Sequence, residues 1–282
     1  MLAVGLAMLF KILGRMQVPL ALAVPLNYLT CAVAGIWLSH TSSLPLKIMQ
    51  SPWFLLSILQ GVFFYIGFSL LALASQRIGL AVAALFSRLA MVIPVVVSFI
   101  FLGDPLNAIK VTGILITMAS LVLMSRKEGI PSHYNRKDFL MLALNLFLVH
   151  GIQLTFMNLA QHYYLHNDQA YHSYMAASFF FALLTSAMVY FLRAFMQKMF
   201  PRLIHILAGI VLGLCNYFAV FHLIKALDTP GLGGGIVWPF FSVGVVGGSA
   251  LAARIFFQER LSWPQWSGVG LGVLAVSLLR LA

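Results

Sequence analysis

Residues Ile78–Leu102 read IGLAVAALFSRLAMVIPVVVSFIFL, 25 positions with one ionisable side chain, Arg88, and one proline, Pro94. About 20 apolar residues in an α-helix span the roughly 30 Å hydrocarbon core of a bilayer. This run exceeds that length, and Trp53 to Ala74 and Val111 to Met124 are comparable stretches broken only by short polar punctuation. A transmembrane barrel would show alternating segments of about 10 residues with a polar inner face, and that pattern is missing. The whole chain agrees: it is 62% hydrophobic and 8% charged, against roughly 25% charged in a soluble domain. The fold class expected is an all-α integral membrane protein whose surroundings are the lipid bilayer.

The formal net charge of +11 could suggest nucleic acid. The basic residues, however, sit in pairs and triplets at the ends of apolar runs, which is the placement that sets membrane topology, so no nucleic-acid partner is expected. Cys31 and Cys215 fall inside apolar runs and read as small packing residues, with no disulfide. Met1 to Phe10 lack a basic n-region, so they read as part of a retained first helix.

Polar clusters, Pro and Gly divide the chain into spans near 1–15, 18–39, 53–74, 78–102, 107–125, 138–163, 170–194, 203–226, 232–257 and 264–281. The sizeable hydrophilic stretch, Arg126 to Asp138, separates five spans from five. The resulting division is 1–125, a basic connecting loop 126–137, and 138–282. The two sets look related. Gly61, Tyr65, Ala74 and Gly79 recur in order as Gly213, Tyr217, Ala226 and Gly231, and Phe101, Asp104, Leu106 and Gly113 recur as Phe256, Glu259, Leu261 and Gly268. An odd number of helices per half inserts the second half upside down, so about ten helices in two inverted five-helix repeats are expected, an architecture that recurs in secondary transporters.

Basic residues accumulate in alternate connections: Lys11 and Arg15, then Arg77, then Arg126, Lys127, Arg136 and Lys137, then Arg193, Lys198 and Arg202, then Arg260. The others offer only Lys47, Lys110, Lys225 and Arg280. The positive-inside rule places the central loop in the cytoplasm and both termini outside.

The helix around Met91-Val92-Ile93-Pro94-Val95, the turn Phe101-Leu102-Gly103-Asp104-Pro105-Leu106 and the Gly-containing helix after it resemble the drug/metabolite transporter superfamily, in particular its ten-helix EamA-type members. The second copy, Phe256-Phe257-Gln258-Glu259-Arg260-Leu261-Ser262-Trp263 followed by Trp266-Ser267-Gly268, is the closer match. The resemblance implies a metabolite transporter in a bacterial inner (plasma) membrane. Ten-helix members are usually given cytoplasmic termini; the charge count here points the other way.

An ionisable side chain inside a bilayer costs roughly 2.5–3.5 kcal/mol on the insertion scale, so deep charges are functional candidates by default. Arg88 lies near the middle of its span, while the acids Asp104, Glu128, Asp138, Asp168, Asp228 and Glu259 fall at helix ends or in loops. A structural salt bridge for Arg88 therefore has no deep partner, and its guanidinium is a fork suited to a carboxylate or phosphate. His150 and Gln153 share a face of the sixth span, and Asn216 with Tyr217 and His222 add polarity to the eighth. The candidate substrate-binding set is Arg88, His150, Gln153, Asn216, Tyr65 and Trp238, each weighed against polar glue between helices. Pro94, Pro239, Gly233, Gly234 and Gly235 are hinge candidates, weighed against packing kinks. Gly244 with Gly248, and Gly268 with Gly272, have the spacing of close helix packing. Arg254 with Glu259, and Lys225 with Asp228, read as helix-end pairs.

The function expected is a secondary transporter of a small polar or anionic organic metabolite by alternating access, not an enzyme. No His-Glu-x-x-His zinc pattern, deep carboxylate pair or P-loop is present, so no cofactor or metal is expected. The alternatives are a multidrug or cation exporter, disfavoured because the first helix carries Lys11 and no acid; a non-transporting helper; and an intramembrane lipid enzyme. Gly-rich faces leave room for a homodimer.

Overall fold

The computed structural model describes residues 2–15, 20–39, 48–78, 80–124, 136–197, 202–258 and 262–281. Most of the connecting loop, Gly79, and the second acidic turn at Glu259, Arg260 and Leu261 lie outside the described residues. The described chain is helical: α1 Leu2–Arg15, α2 Leu20–Leu38, α3 Phe54–Arg77, α4 Leu80–Leu89, α5 Val92–Phe101, α6 Ala108–Met124, α7 Arg136–Tyr164, α8 Asp168–Gln197, α9 Leu203–Leu227, α10 Gly234–Phe257 and α11 Trp263–Arg280. Among the described residues, six stretches are long and apolar enough to cross a membrane: Phe54–Ser75, Val82–Phe101, Lys137–Tyr164, Asp168–Leu192, Leu203–Leu227 and Gly234–Phe256. Shorter apolar helices run over Ala23–Leu38 and Ala108–Met124.

Helix starts follow local chemistry. The Asn107 carboxamide accepts the Lys110 N–H at 2.8 Å, and Asn167 accepts from Ala170 at 2.8 Å. Ser262 and Gln265 form a capping box ahead of α11, with Pro264 in its first turn. Pro94 accounts for the break between α4 and α5. It has no N–H to return to the Ala90 carbonyl, and the backbone tightens there, with Met91 donating to the Arg88 carbonyl and Ile93 to that of Ala90, each across three residues. Pro239 does not break its helix: α10 runs through it. The irregular backbone comes earlier, at Gly231, whose φ of 81° suits glycine.

The chain divides into two compact units, Met1–Tyr65 with Leu159–Asp228, and Ile66–Asn158 with Thr229–Ala282. Each takes segments from both sides of the connecting loop, so grouping in space and order along the chain are different divisions. In the first unit α2 packs on α8 and α9. Gly35 lies against Ala176, and Gly209 and Gly213 lie against Leu26, Asn27 and Thr30. Tyr28, Phe179 and Phe64 stack with centroid spacings of 6.2 and 5.1 Å. In the second unit α6 and α11 form a tight pair: Gly113 meets Leu279, Gly268 and Gly272 meet Ser120 and Met124, and the Ser120 hydroxyl donates to the Gly268 carbonyl at 2.7 Å. Gly244 is not such a contact, because a side chain added there would meet nothing within 4 Å.

Candidate functional site

The second unit places Arg88 in the last turn of α4, immediately before the helix break. A cation there complements the partial negative charge of the helix C-terminus. The side chain is partly buried, and its guanidinium carbon stands 5.3 Å from the centroid of the Phe241 ring on α10. Among the described residues it makes no salt bridge; what faces it is an aromatic quadrupole, which attracts a cation but leaves its N–H donors unspent.

Across from the break runs α7. A Cβ at Gly151 would overlap the Ile93 side chain of α5, so the glycine lets α7 close on α5 just past the break. His150, beside it, has Nδ1 at 3.1 Å from the Leu146 carbonyl. A carbonyl only accepts, so Nδ1 carries the proton and Nε2 is left as an acceptor. Arg88 lies within electrostatic range of this imidazole. Gln153, one turn on, shares a neighbour with His150: a Cβ at Gly67 of α3 would come within 2.7 Å of Gln153 Oε1 and 3.5 Å of His150 Cε1. The cluster thus offers a charged fork of donors, a lone-pair acceptor, a carboxamide and an aromatic face, and the missing side chain at Gly67 lets Gln153 and His150 come close to α3. Trp238 is buried one turn before Phe241, and its indole N–H has no hydrogen-bond partner among the described residues.

The remaining sequence candidates belong to the first unit. Asn216 donates to Asn27 Oδ1 at 3.4 Å, and Tyr65 is partly buried on α3. His222 is exposed and bonds the Phe218 carbonyl of its own helix at 2.7 Å, a contact within one helix and not between two. Arg254 is exposed, and the partner expected for it, Glu259, lies outside the described residues.

That unit also holds a polar cluster that sequence reasoning missed. Asp228 caps α9 and accepts from the Tyr171 hydroxyl and from Gln161 Nε2 at 2.9 Å, and His166 Nδ1 stands 3.5 Å from its carboxylate. Lys225 bridges to Asp168 at 2.9 Å. His172 Nδ1 is 2.6 Å from the Tyr217 hydroxyl, and its ring stacks on Phe221 at 4.7 Å. A cavity of about 460 Å³ opens beside it, lined by Leu38, Ser39, Asp168, Gln169 and His172. The available signal was the four-residue spacing of Asp168 and His172, and of Tyr217, Phe221 and Lys225, which puts each set on one helix face.

No family model matches the chain. It is 22% identical to an uncharacterized protein of Haemophilus influenzae over 283 aligned positions, covering 98% of this chain and 94% of the other. A protein of known crystal structure is similar in fold, with a TM-score of 0.77 at 17% identity over 99% of this chain and 93% of that one. The helical fold is therefore shared with a solved protein across nearly the full length.

Proposed function

We propose that the chain is a secondary transporter of the EamA type that moves a small polar or anionic organic metabolite by alternating access. On this reading its ten helices are two inverted repeats in a bacterial inner membrane, and the substrate's anionic group binds Arg88. The observation that carries the reading is the environment of Arg88. A guanidinium at a helix break, opposed by the Phe241 ring and by no carboxylate among the described residues, has lost water and has not been repaid by an ion pair. A carboxylate or phosphate would supply the missing acceptors in bidentate geometry. His150 and Gln153 supply further hydrogen bonds, Trp238 an aromatic wall, and the break at Ala90–Met91 a place where the helix can flex.

The test is thermal stabilisation of the purified protein by amino acids, organic acids, sugar phosphates and organic cations, run beside Arg88→Ala. A ligand at a hundredfold excess over its Kd stabilises by about 2.7 kcal/mol. Anions raise the melting temperature of the wild type and not of the variant. Equal stabilisation of both proteins by anions, or stabilisation by cations alone, overturns the reading.

A further inference from the structure

The chain's unusual run Gly231-Leu232-Gly233-Gly234-Gly235 leads into α10 and gives the helix start no polar side chain of its own. The acceptor for its second N–H comes from 131 residues away: Asp104 Oδ2 lies 3.0 Å from the Gly235 nitrogen. A carboxylate there satisfies an orphan donor and complements the positive end of the helix. The glycines are what let it in. A Cβ at Gly233 would overlap the Asp104 carboxylate, and one at Gly234 would overlap the Ser98 hydroxyl and press on Asn158. Asp104 is itself anchored, since its N–H donates to the Ser98 carbonyl at 3.2 Å, and the Ser98 hydroxyl accepts from Asn158 Nδ2 at 2.7 Å.

Capping alone would not need a distant residue, because a polar side chain at Gly233 could do it locally. A cap supplied from the end of α5 does something more: it fixes where α10 begins relative to α5. One turn beyond Gly235 is Trp238, and one turn further is Phe241, whose ring faces Arg88. We propose that Asp104 is a positioning residue, tying the start of α10 to the end of α5 so that Trp238 and Phe241 are held in place at the Arg88 cluster. Its bearing on substrate binding rests on the anion-binding reading of Arg88; its bearing on the placement of α10 does not.

The experiment separates the cap from the tether. Asp104→Ala removes both. Asp104→Ala combined with Gly233→Asp returns a carboxylate to the same helix end from α10 itself. Gly233 does not have the left-handed backbone that would resist a side chain, and the space its Cβ needs is vacated by Asp104. Two readouts need no ligand: the melting temperature, and acrylamide quenching of Trp238 fluorescence, isolated by subtracting the same protein carrying Trp238→Phe. Asp104→Ala lowers the melting temperature and raises the quenching several-fold. The double variant recovers the melting temperature while the quenching stays raised. Asp104→Asn, which keeps the shape and loses the charge, carries the same quenching test should Asp104→Ala fail to fold, and raises the quenching by a smaller factor. Unchanged quenching in the single variants, or full recovery of both readouts in the double variant, overturns the proposal. A third readout, the succinate concentration giving half-maximal stabilisation, stays raised in the double variant. If succinate stabilises wild type and Arg88→Ala alike while the Trp238 results hold, the anion reading falls and the positioning role stands.

Discussion

The polar end of the first unit and the Arg88 cluster of the second both collect ionisable and hydrogen-bonding side chains, and they are organised in opposite ways. Around Asp228 each charge is answered from within: a tyrosine hydroxyl, a carboxamide and an imidazole converge on one carboxylate, and Lys225 answers Asp168. Around Arg88 the cation is answered by an aromatic ring, and the neighbouring imidazole keeps an unused lone pair. A polar network closed on itself holds helices together; a partly buried cation with no carboxylate beside it keeps donors for a further acceptor. On the proposed reading the first cluster serves stability and the second serves binding.

That contrast can be broken by substitution. The largest effect is expected from Arg88→Ala, which weakens anion-dependent stabilisation on the order of a hundredfold, with little loss of intrinsic stability. A large drop in melting temperature without ligand would instead make Arg88 part of the scaffold. Next is Asp228→Ala, which orphans the Tyr171 hydroxyl and the Gln161 carboxamide and costs about 1–3 kcal/mol in denaturant unfolding. Anion affinity should stay as in wild type, and its loss would merge the two clusters into one function. Gly67→Ala places a methyl against Gln153 and His150 and is expected to weaken anion affinity about tenfold, roughly 1.4 kcal/mol. Unchanged affinity would show that the space over Gly67 is not used. The smallest effect belongs to Lys225→Ala, because the Lys225–Asp168 bridge is about half exposed on both sides. Such a pair contributes about 0.2–1 kcal/mol and should weaken further in high salt.

Legibility in the sequence followed the range of each interaction. Arg88 and the break beside it could be read directly: depth in a span and the missing N–H of Pro94 are both properties of one short segment. His150 and Gln153 were legible as one helix face for the same reason. Phe241 and Gly67 were not, because nothing in a phenylalanine or glycine within an apolar run distinguishes a site neighbour from packing. The acidic turn at Asp104 could be seen as a repeated motif, but its role as the cap of α10 could not, since its partner is 131 residues away.

The sequence by itself determined that this chain is helical, with segments long and apolar enough to cross a membrane. Apolar length and the scarcity of charge decide the solvent a segment can enter, and both are local sums over neighbouring residues. It also placed one arginine in the middle of a long apolar run that holds no acid. Only the tertiary structure decided that segments from both sides of the connecting loop share each unit, that Phe241 faces the guanidinium, and that Asp104 holds the start of α10. Those are choices of partner. In a bilayer many apolar faces are equally willing to pack, so the choice is made by close approach at glycines and by a few specific hydrogen bonds, which exist only once the chain has folded.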